Sequence, residues 1–435
     1  HLYRKIMIRR KFSRVFSKRT DMHNLIRLLF RNPFFFLFCL FIPFDNTSLQ
    51  SIGGIMTASP SALILLPGLF VSILSKGLKV NKNILLCFFG VLLISFLYYF
   101  YWVFYFPELD PIFILDRGSR YFLLYVFYFL ALYYSLRQNI KDIRAGAALI
   151  IIVVIFSVLL NYLDPAIINN KSIIQYNDFI SPERLRGFSL EASVFGYQIV
   201  CSILLLAVLL NWSTFFLVTV TIVIAILTTS KGAALSFLIC ICFYFSLKGK
   251  LMFRVLLSLC SIVISYIIFK YYFLDALASD IDTYSSVATR GTMFIVGLKI
   301  FLFNPLGVGF FGYLPSIYDF TSGVIDFIKS HFPFLNFDEV YTYTIPGEYK
   351  TVGTKSLILD LLIIYGVFFL IPFIYFIKKI LKEFDAQSER NSYFLLLFII
   401  FSNMFFISHL GSYFTPFCIA FLIILSKNRA ENDIN

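Results

Sequence analysis

Apolar runs close to twenty residues long, parted by short polar joints, recur along almost the whole chain. That pattern constrains the fold before any motif does. A segment such as ALIIIVVIFSVLLNYL (148–163) offers lipid no polar partner, so its backbone must satisfy its own hydrogen bonds as a helix. About 20 residues cover the hydrocarbon layer. The runs predict twelve spans, over 25–44, 52–75, 83–106, 113–136, 143–164, 190–210, 212–229, 232–247, 252–274, 353–377, 391–410 and 412–427. Composition agrees: the 435 residues are 59% hydrophobic and only 14% charged, more apolar surface than a soluble domain can hide. The expected fold is an all-α polytopic membrane protein of about twelve transmembrane helices, with a large outer loop between spans nine and ten.

Charge sets the orientation. Residues 1–24 carry eight Lys or Arg against one Asp and read as a cytoplasmic tail beside anionic lipid, with no nucleic acid as partner. With that tail inside, the inner joints hold Lys76, Lys79 and Lys82, then Arg137, Lys141 and Arg144, then Lys248 and Lys250, then Lys378, Lys379, Lys382 and Arg390. The chain then divides into the tail 1–24, helices one to five (25–164), an outer loop (165–189), helices six to nine (190–274), a large outer loop (275–352), helices ten to twelve (353–427) and a cytoplasmic tail (428–435). All seven cysteines fall in apolar runs and read as small hydrophobes rather than a disulfide or metal framework.

Exceptions to the inside bias carry the functional signal. Arg184, Arg186, Lys231, Arg290, Lys299, Lys329, Lys350 and Lys355 all fall outside, and Arg117 and Arg120 sit at the outer end of the fourth span. Within the large loop, TRGTMFIVGLKIFLFNPLG (289–307) predicts a helix over 290–303, too short to cross, with Arg290 at its head and Asn304-Pro305 at its end. It is either an interfacial seal or a re-entrant helix over a cavity, and the company of Arg290 favours the second. In SPERLRGFSLEASVFG (181–196), Arg184 and Arg186 precede the sixth span and Glu191 lies just inside it. An ionisable group at that depth costs roughly 2.5–3.5 kcal/mol and is a functional candidate, although a salt bridge to a neighbouring arginine would also account for Glu191. Lys231, in a tight hairpin, is a candidate anion contact or a helix-end anchor. Cations gathered at an outer leaflet suit a lipid-linked pyrophosphate, whose oxygens guanidinium groups grip in pairs. If that pyrophosphate leaves, the same groups stabilise its developing charge. No metal or cofactor is expected: the one acidic pair spaced like a metal motif, Asp280 and Asp282, stands in a polar turn without support. Tyr313, Tyr318, Tyr341, Tyr343 and Tyr349 could stack on sugars, but interfacial anchoring explains them as well.

Taken in order, RGFSLEAS, LTTSKGAAL, ATRGTMFIVGLKIFLFNPLGVGFFGY and GTKSLILDLLIIYG resemble the bacterial O-antigen polymerase and O-antigen ligase superfamily, and the Wzy-type polymerases most. The resemblance covers about 180–370 in motif order and the whole chain in topology. It implies a glycosyltransferase-C-like, inner-membrane enzyme of lipopolysaccharide biosynthesis with its site facing the periplasm. The reaction implied is inverting transfer of a growing glycan from undecaprenyl pyrophosphate onto an undecaprenyl pyrophosphate-linked repeat unit, with a chain-length regulator as a further partner beside membrane lipids. Arg117, Arg120, Arg184, Arg186, Lys231, Arg290 and Lys355 are then the candidate pyrophosphate contacts, with Arg290 also catalytic. Ligases of the superfamily carry a histidine eleven residues before a glycine that matches Gly366; here Lys355 stands there, which favours polymerase. The general base stays open among Glu191 and His331, with His409, Glu339 and Glu348 as alternatives. Ligase activity and transport of lipid-linked oligosaccharide are the competing readings. A reporter enzyme that works only outside the cytoplasm is expected to be active when fused within 275–352 and silent when fused after residue 428; the reverse pattern would invert the topology.

Overall fold

The computed structural model describes residues 31–78, 81–105, 109–179, 184–228, 230–248, 286–333, 335–345, 352–383, 390–405 and 410–434. The basic tail, the ninth expected span (252–274), Asp280, Asp282, Glu348, Tyr349, Lys350 and His409 lie outside them. Among the described residues all regular structure is helical. The helices are α1 (Pro33–Phe41), α2 (Pro60–Lys76), α3 (Lys82–Tyr105), α4 (Pro111–Leu136), α5 (Ile140–Leu163), α6 (Ala192–Leu210) and α7 (Thr214–Leu227). They continue as α8 (Lys231–Lys248), α9 (Ser286–Phe303), α10 (Gly309–His331), α11 (Leu357–Tyr365), α12 (Val367–Glu383), α13 (Arg390–Phe405) and α14 (Phe414–Ile434). Three of these, α3, α5 and α6, are long and apolar enough to cross a membrane. A fourth crossing results if the short helices over Gln50–Thr57 are counted with α2, across a bend of 68°. The chain is thus an all-α protein with the helices of a membrane protein.

Local chemistry places the helix ends. Asp110 accepts a hydrogen bond from the Ile112 N–H ahead of Pro111, and Asn139 accepts from the N–H groups of Lys141 and Asp142. Both supply an acceptor to first-turn N–H groups that have no partner inside the helix. Two large apolar cores and two small clusters form among the described residues. One large core gathers α1, α2, α5, α6, α8, α13 and α14 around Phe38, Phe195, Phe398 and Phe421. The other gathers α3, α4, α9, α10 and α11 around Met293, Phe310, Ile317 and Ile363. Of the three candidate crossings α6 is the most buried, whereas α3 lies at the edge and turns Phe89, Leu93 and Phe100 outward.

Three elements depart from the sequence pattern. The run 52–75 is not one straight helix, since it bends by 68° between Gln50–Thr57 and α2. The run 353–377 is not one helix: Gly366, at φ 56°, separates α11 from α12. The stretch after 304 is not only a turn: Gly307, at φ 85°, leads into the 23-residue α10, so that α9 and α10 make a helical hairpin. The last two interruptions interlock. The Val308 N–H donates to the Ile363 carbonyl and the Val367 N–H to the Pro305 carbonyl, each at 2.8 Å. Helix α3 supplies the rest: Ser95 Oγ accepts the Phe310 N–H (2.9 Å), and the Tyr98 hydroxyl donates to Asn304 Oδ1 (2.6 Å). The N–H groups of Val308, Phe310 and Val367 and the carbonyls of Pro305 and Ile363, all freed by the breaks, thereby gain partners, as an apolar setting requires.

The glycines at this interlock have no substitute. A Cβ on Gly366 would come within 2.3 Å of the Pro305 carbonyl oxygen, and one on Gly307 within 2.5 Å of that of Ile364. Gly366→Ala is therefore expected to cost about 2–4 kcal/mol, from a positive φ plus backbone displacement. Gly90→Ala, where a Cβ meets nothing within 4 Å, should leave the melting temperature of detergent-purified protein nearly unchanged. Equal melting temperatures for the two variants would contradict the interlock.

Candidate functional site

Helix α9 begins at Ser286, four residues before the expected start at 290, and carries Thr289 and Arg290 near its N-terminal end. Thr289 is buried because α9 packs against α10, α11 and the short helix Asp338–Thr342. Glu339 of that short helix organises the neighbourhood. Its Oε2 accepts from the Thr289 hydroxyl (3.0 Å), its Oε1 accepts from the Tyr343 hydroxyl (2.8 Å), and the same Oε1 lies 3.8 Å from Lys355 Nζ. Lys355 stands at φ 60°, a left-handed conformation uncommon for a side chain of its kind. The surrounding loop holds it there. Asp360, buried in the first turn of α11, accepts from the Thr354 hydroxyl (2.6 Å), the Thr354 N–H (3.2 Å) and the Tyr313 hydroxyl (2.5 Å). The Tyr121 hydroxyl of α4 donates to the Val352 carbonyl (2.5 Å), and Ser356 caps α11 while donating to the Asn403 carbonyl of α13 (3.1 Å).

Arg290 ties this loop to the other candidate segment. Burial pushes its guanidinium below the ordinary value, Glu191 and Glu339 act in the opposite direction, and Arg184 adds to the lowering. Arg184, Glu191 and Glu339 therefore each lie within electrostatic reach of Arg290, although up to 106 residues separate them from it in sequence. Glu191 is exposed at the N-cap of α6 and accepts from the Ser193 hydroxyl (3.1 Å). The exposed Lys231 begins α8 beside the same helix start: Gly196, one turn into α6, lies against Ser230, and a Cβ there would come within 2.3 Å of it.

The remaining candidates lie elsewhere. Arg117 stacks over Phe113 (5.3 Å) with Asp116 at 3.7 Å, and Arg120 pairs with Asp116 at 3.0 Å, so both are engaged on the first turns of α4. His331 ends α10, its Nδ1 within hydrogen-bond distance of the Phe327 carbonyl (2.9 Å) and the Ser330 hydroxyl (3.0 Å) of its own last turn. Arg186 is 1% exposed and faces away from solvent. Among the described residues no three His, Cys, Asp or Glu side chains gather to hold a metal ion.

The sequence reading passed over Asp360, Thr354 and the inward role of Tyr313 and Tyr343. The signal for Asp360 was present: it is the one ionisable residue in the apolar run LILDLLIIY, and such a residue in a span is a functional candidate by default. Tyr313, Tyr318 and Tyr343 are buried, and Tyr341 is exposed.

An all-α membrane protein with arginine, lysine and glutamate side chains grouped near the starts of α6, α9 and α11 is the class that fold and site define. No family model matches the chain, and no solved structure matches its fold. Lys355 pairs with Glu339, and Glu339 and Arg184 both act on Arg290, so the neighbourhood offers cations suited to an anion and carboxylates that can accept a proton. Arg290→Ala is expected to weaken binding of a short-chain prenyl pyrophosphate by at least about tenfold, equivalent to 1.4 kcal/mol, as measured by calorimetry in detergent. Arg120→Ala, which removes an exposed ion pair, should change it by less than about threefold.

Proposed function

We propose that the protein is a membrane-embedded polysaccharide polymerase of the Wzy type. It transfers a growing glycan from undecaprenyl pyrophosphate onto an incoming undecaprenyl pyrophosphate-linked repeat unit at the periplasmic face of a bacterial inner membrane. The observation that carries this reading is that Arg184, Glu191 and Glu339, from segments the sequence keeps far apart, all act on Arg290, with Lys355 paired to Glu339 at 3.8 Å.

In this reading twelve helices cross the membrane and the α9–α10 hairpin enters from the periplasm without crossing. Its tip reaches Ser95, near the middle of α3 (Lys82–Tyr105), which is the depth expected of a re-entrant element. Arg290 at the hairpin's outer end then meets a pyrophosphate at the leaflet surface. Arg290, Arg184 and Lys355 hold the leaving pyrophosphate as the glycosidic carbon–oxygen bond breaks and its electron pair passes to the phosphate oxygen. The acceptor sugar's hydroxyl oxygen forms the new bond from the opposite face, and its proton goes to a carboxylate. Glu191 suits that step better than Glu339: it is exposed, whereas Glu339 is engaged by Thr289, Tyr343 and Lys355. His331, hydrogen-bonded within its own last turn, is the weaker candidate. The chemistry so described uses cations of the chain and no metal.

Purified protein reconstituted with undecaprenyl pyrophosphate-linked repeat units is expected to give a ladder of lengthened products, unaffected by EDTA. Arg290→Ala should slow it by about 10²–10³-fold, the effect of removing one donor from a charge-stabilising site. Transfer to lipid A core without lengthening would make the protein a ligase instead. Movement of lipid-linked units across the bilayer without bond formation would make it a transporter.

A further inference from the structure

Arg184 and Arg186, one residue apart, have opposite fates. Arg184 acts on Arg290, while Arg186 turns into the protein. Its Nη2 donates to the Asn177 carbonyl (2.9 Å), and its guanidinium lies 4.9 Å over the Phe179 ring. The carboxylates of Asp45 and Asp178 both act on it. Burial lowers its pKa to about 10, the two aspartates opposing that shift.

Asp45, in the joint between α1 and α2, is itself 1% exposed. Its Oδ1 accepts the Leu190 N–H (2.7 Å), its Oδ2 accepts from Gln198 Nε2 of α6 (2.9 Å), and its own N–H donates to the Phe188 carbonyl (3.3 Å). Around this carboxylate Phe44 stacks on Phe188 at 4.2 Å, Asn46 Nδ2 donates to Gln175 Oε1 (3.0 Å), and Gln175 Nε2 donates to the Gly187 carbonyl (2.8 Å). Gly187, at φ 54°, turns the chain between Arg186 and these contacts. Leu190 immediately precedes Glu191.

We infer that Asp45 and Arg186 are positioning residues, two buried charges whose hydrogen bonds to Leu190, Phe188, Gln198 and Asn177 fix segment 184–191 so that Arg184 and Glu191 face Arg290, and that Arg186 does not touch substrate. The inference rests on reading the Arg290 cluster as the substrate site, and it assigns a role to the 45–46 joint, which carries no cation of its own. Removing one member of a buried pair leaves the other uncompensated, whereas removing both is milder. That asymmetry makes the pair testable.

Arg186→Gln, Asp45→Asn, the double variant and Arg184→Gln would be purified and compared by two readouts: the rate of proteolytic cleavage within 165–191 without substrate, and kcat/KM for lengthening per folded molecule. Each single brace variant is expected to be cleaved at least about tenfold faster and to lose at least about tenfold in kcat/KM, with the double variant recovering most of both, the coupling expected of groups sharing one network. Arg184→Gln should lose activity without faster cleavage. If the single variants do not fold, a double variant that folds supports the pair, and one that folds no better overturns it. Loss of activity in Arg186→Gln with unchanged cleavage and no recovery in the double variant would make Arg186 a substrate contact and sink the proposal. Unchanged kcat/KM per folded molecule alongside faster cleavage would reduce the pair to a fold-stabilising role and sink it too. If the wild type lengthens nothing, the polymerase reading fails, while the cleavage coupling still decides whether the pair braces the segment.

Discussion

Backbone hydrogen bonding without water governs this molecule. Helices solve the problem within themselves, so the places where a helix stops inside the bundle are the places where structure must be built. At the α9–α10 tip and the α11–α12 break, each interruption supplies what the other lacks, through Val308 to Ile363 and Val367 to Pro305. Either break alone would leave an N–H and a carbonyl unpaired, at about 1–3 kcal/mol for the buried Val308 N–H or the buried Ile363 carbonyl. The hairpin can therefore carry Arg290 to its position because a broken helix receives its tip.

The same logic of mutual completion runs through the charged cluster. Glu339 brings Thr289, Tyr343 and Lys355 to one carboxylate, and Asp360 shapes the loop that presents Lys355. Cations held close together repel one another, and Arg184 does act against Arg290. The glutamates between them relieve that repulsion while leaving net positive charge for a polyanion. In the proposed reaction this arrangement keeps the site assembled before substrate arrives, so binding does not have to order it.

Helix identity was legible because apolar length is a long-range property of the sequence that tertiary context rarely overrides. Arg290 at the head of a short helix was legible too, since Asn304-Pro305 marks its end. Helix α10 was not, because Gly309, Gly312 and Pro315 punctuate it as they would a loop. Those residues serve packing instead: a Cβ on Gly312 would lie 2.9 Å from Tyr98, and one on Gly309 2.2 Å from Ser95 Oγ. The break at Gly366 hid inside a continuous apolar run, since only the approach of residues 305–307 makes a glycine necessary there. In RLRG, local sequence cannot say which arginine is buried; Arg186 is, and the Asp45 carboxylate, some 140 residues earlier, acts on it there.

Helix α3 packs chiefly on α10 and only slightly on α4. Its main partner begins about 200 residues after it ends. At translation rates of 5–20 residues per second, α3 spends roughly 10–40 s without that partner. Ser95, whose hydroxyl already bonds the Val91 carbonyl within its own helix at 2.7 Å, is a polar group that can wait in lipid at little cost and later accept the Phe310 N–H without giving up that bond. The hydroxyl thus serves two stages of biogenesis, first as a self-satisfied passenger and then as the mooring for a hairpin made much later.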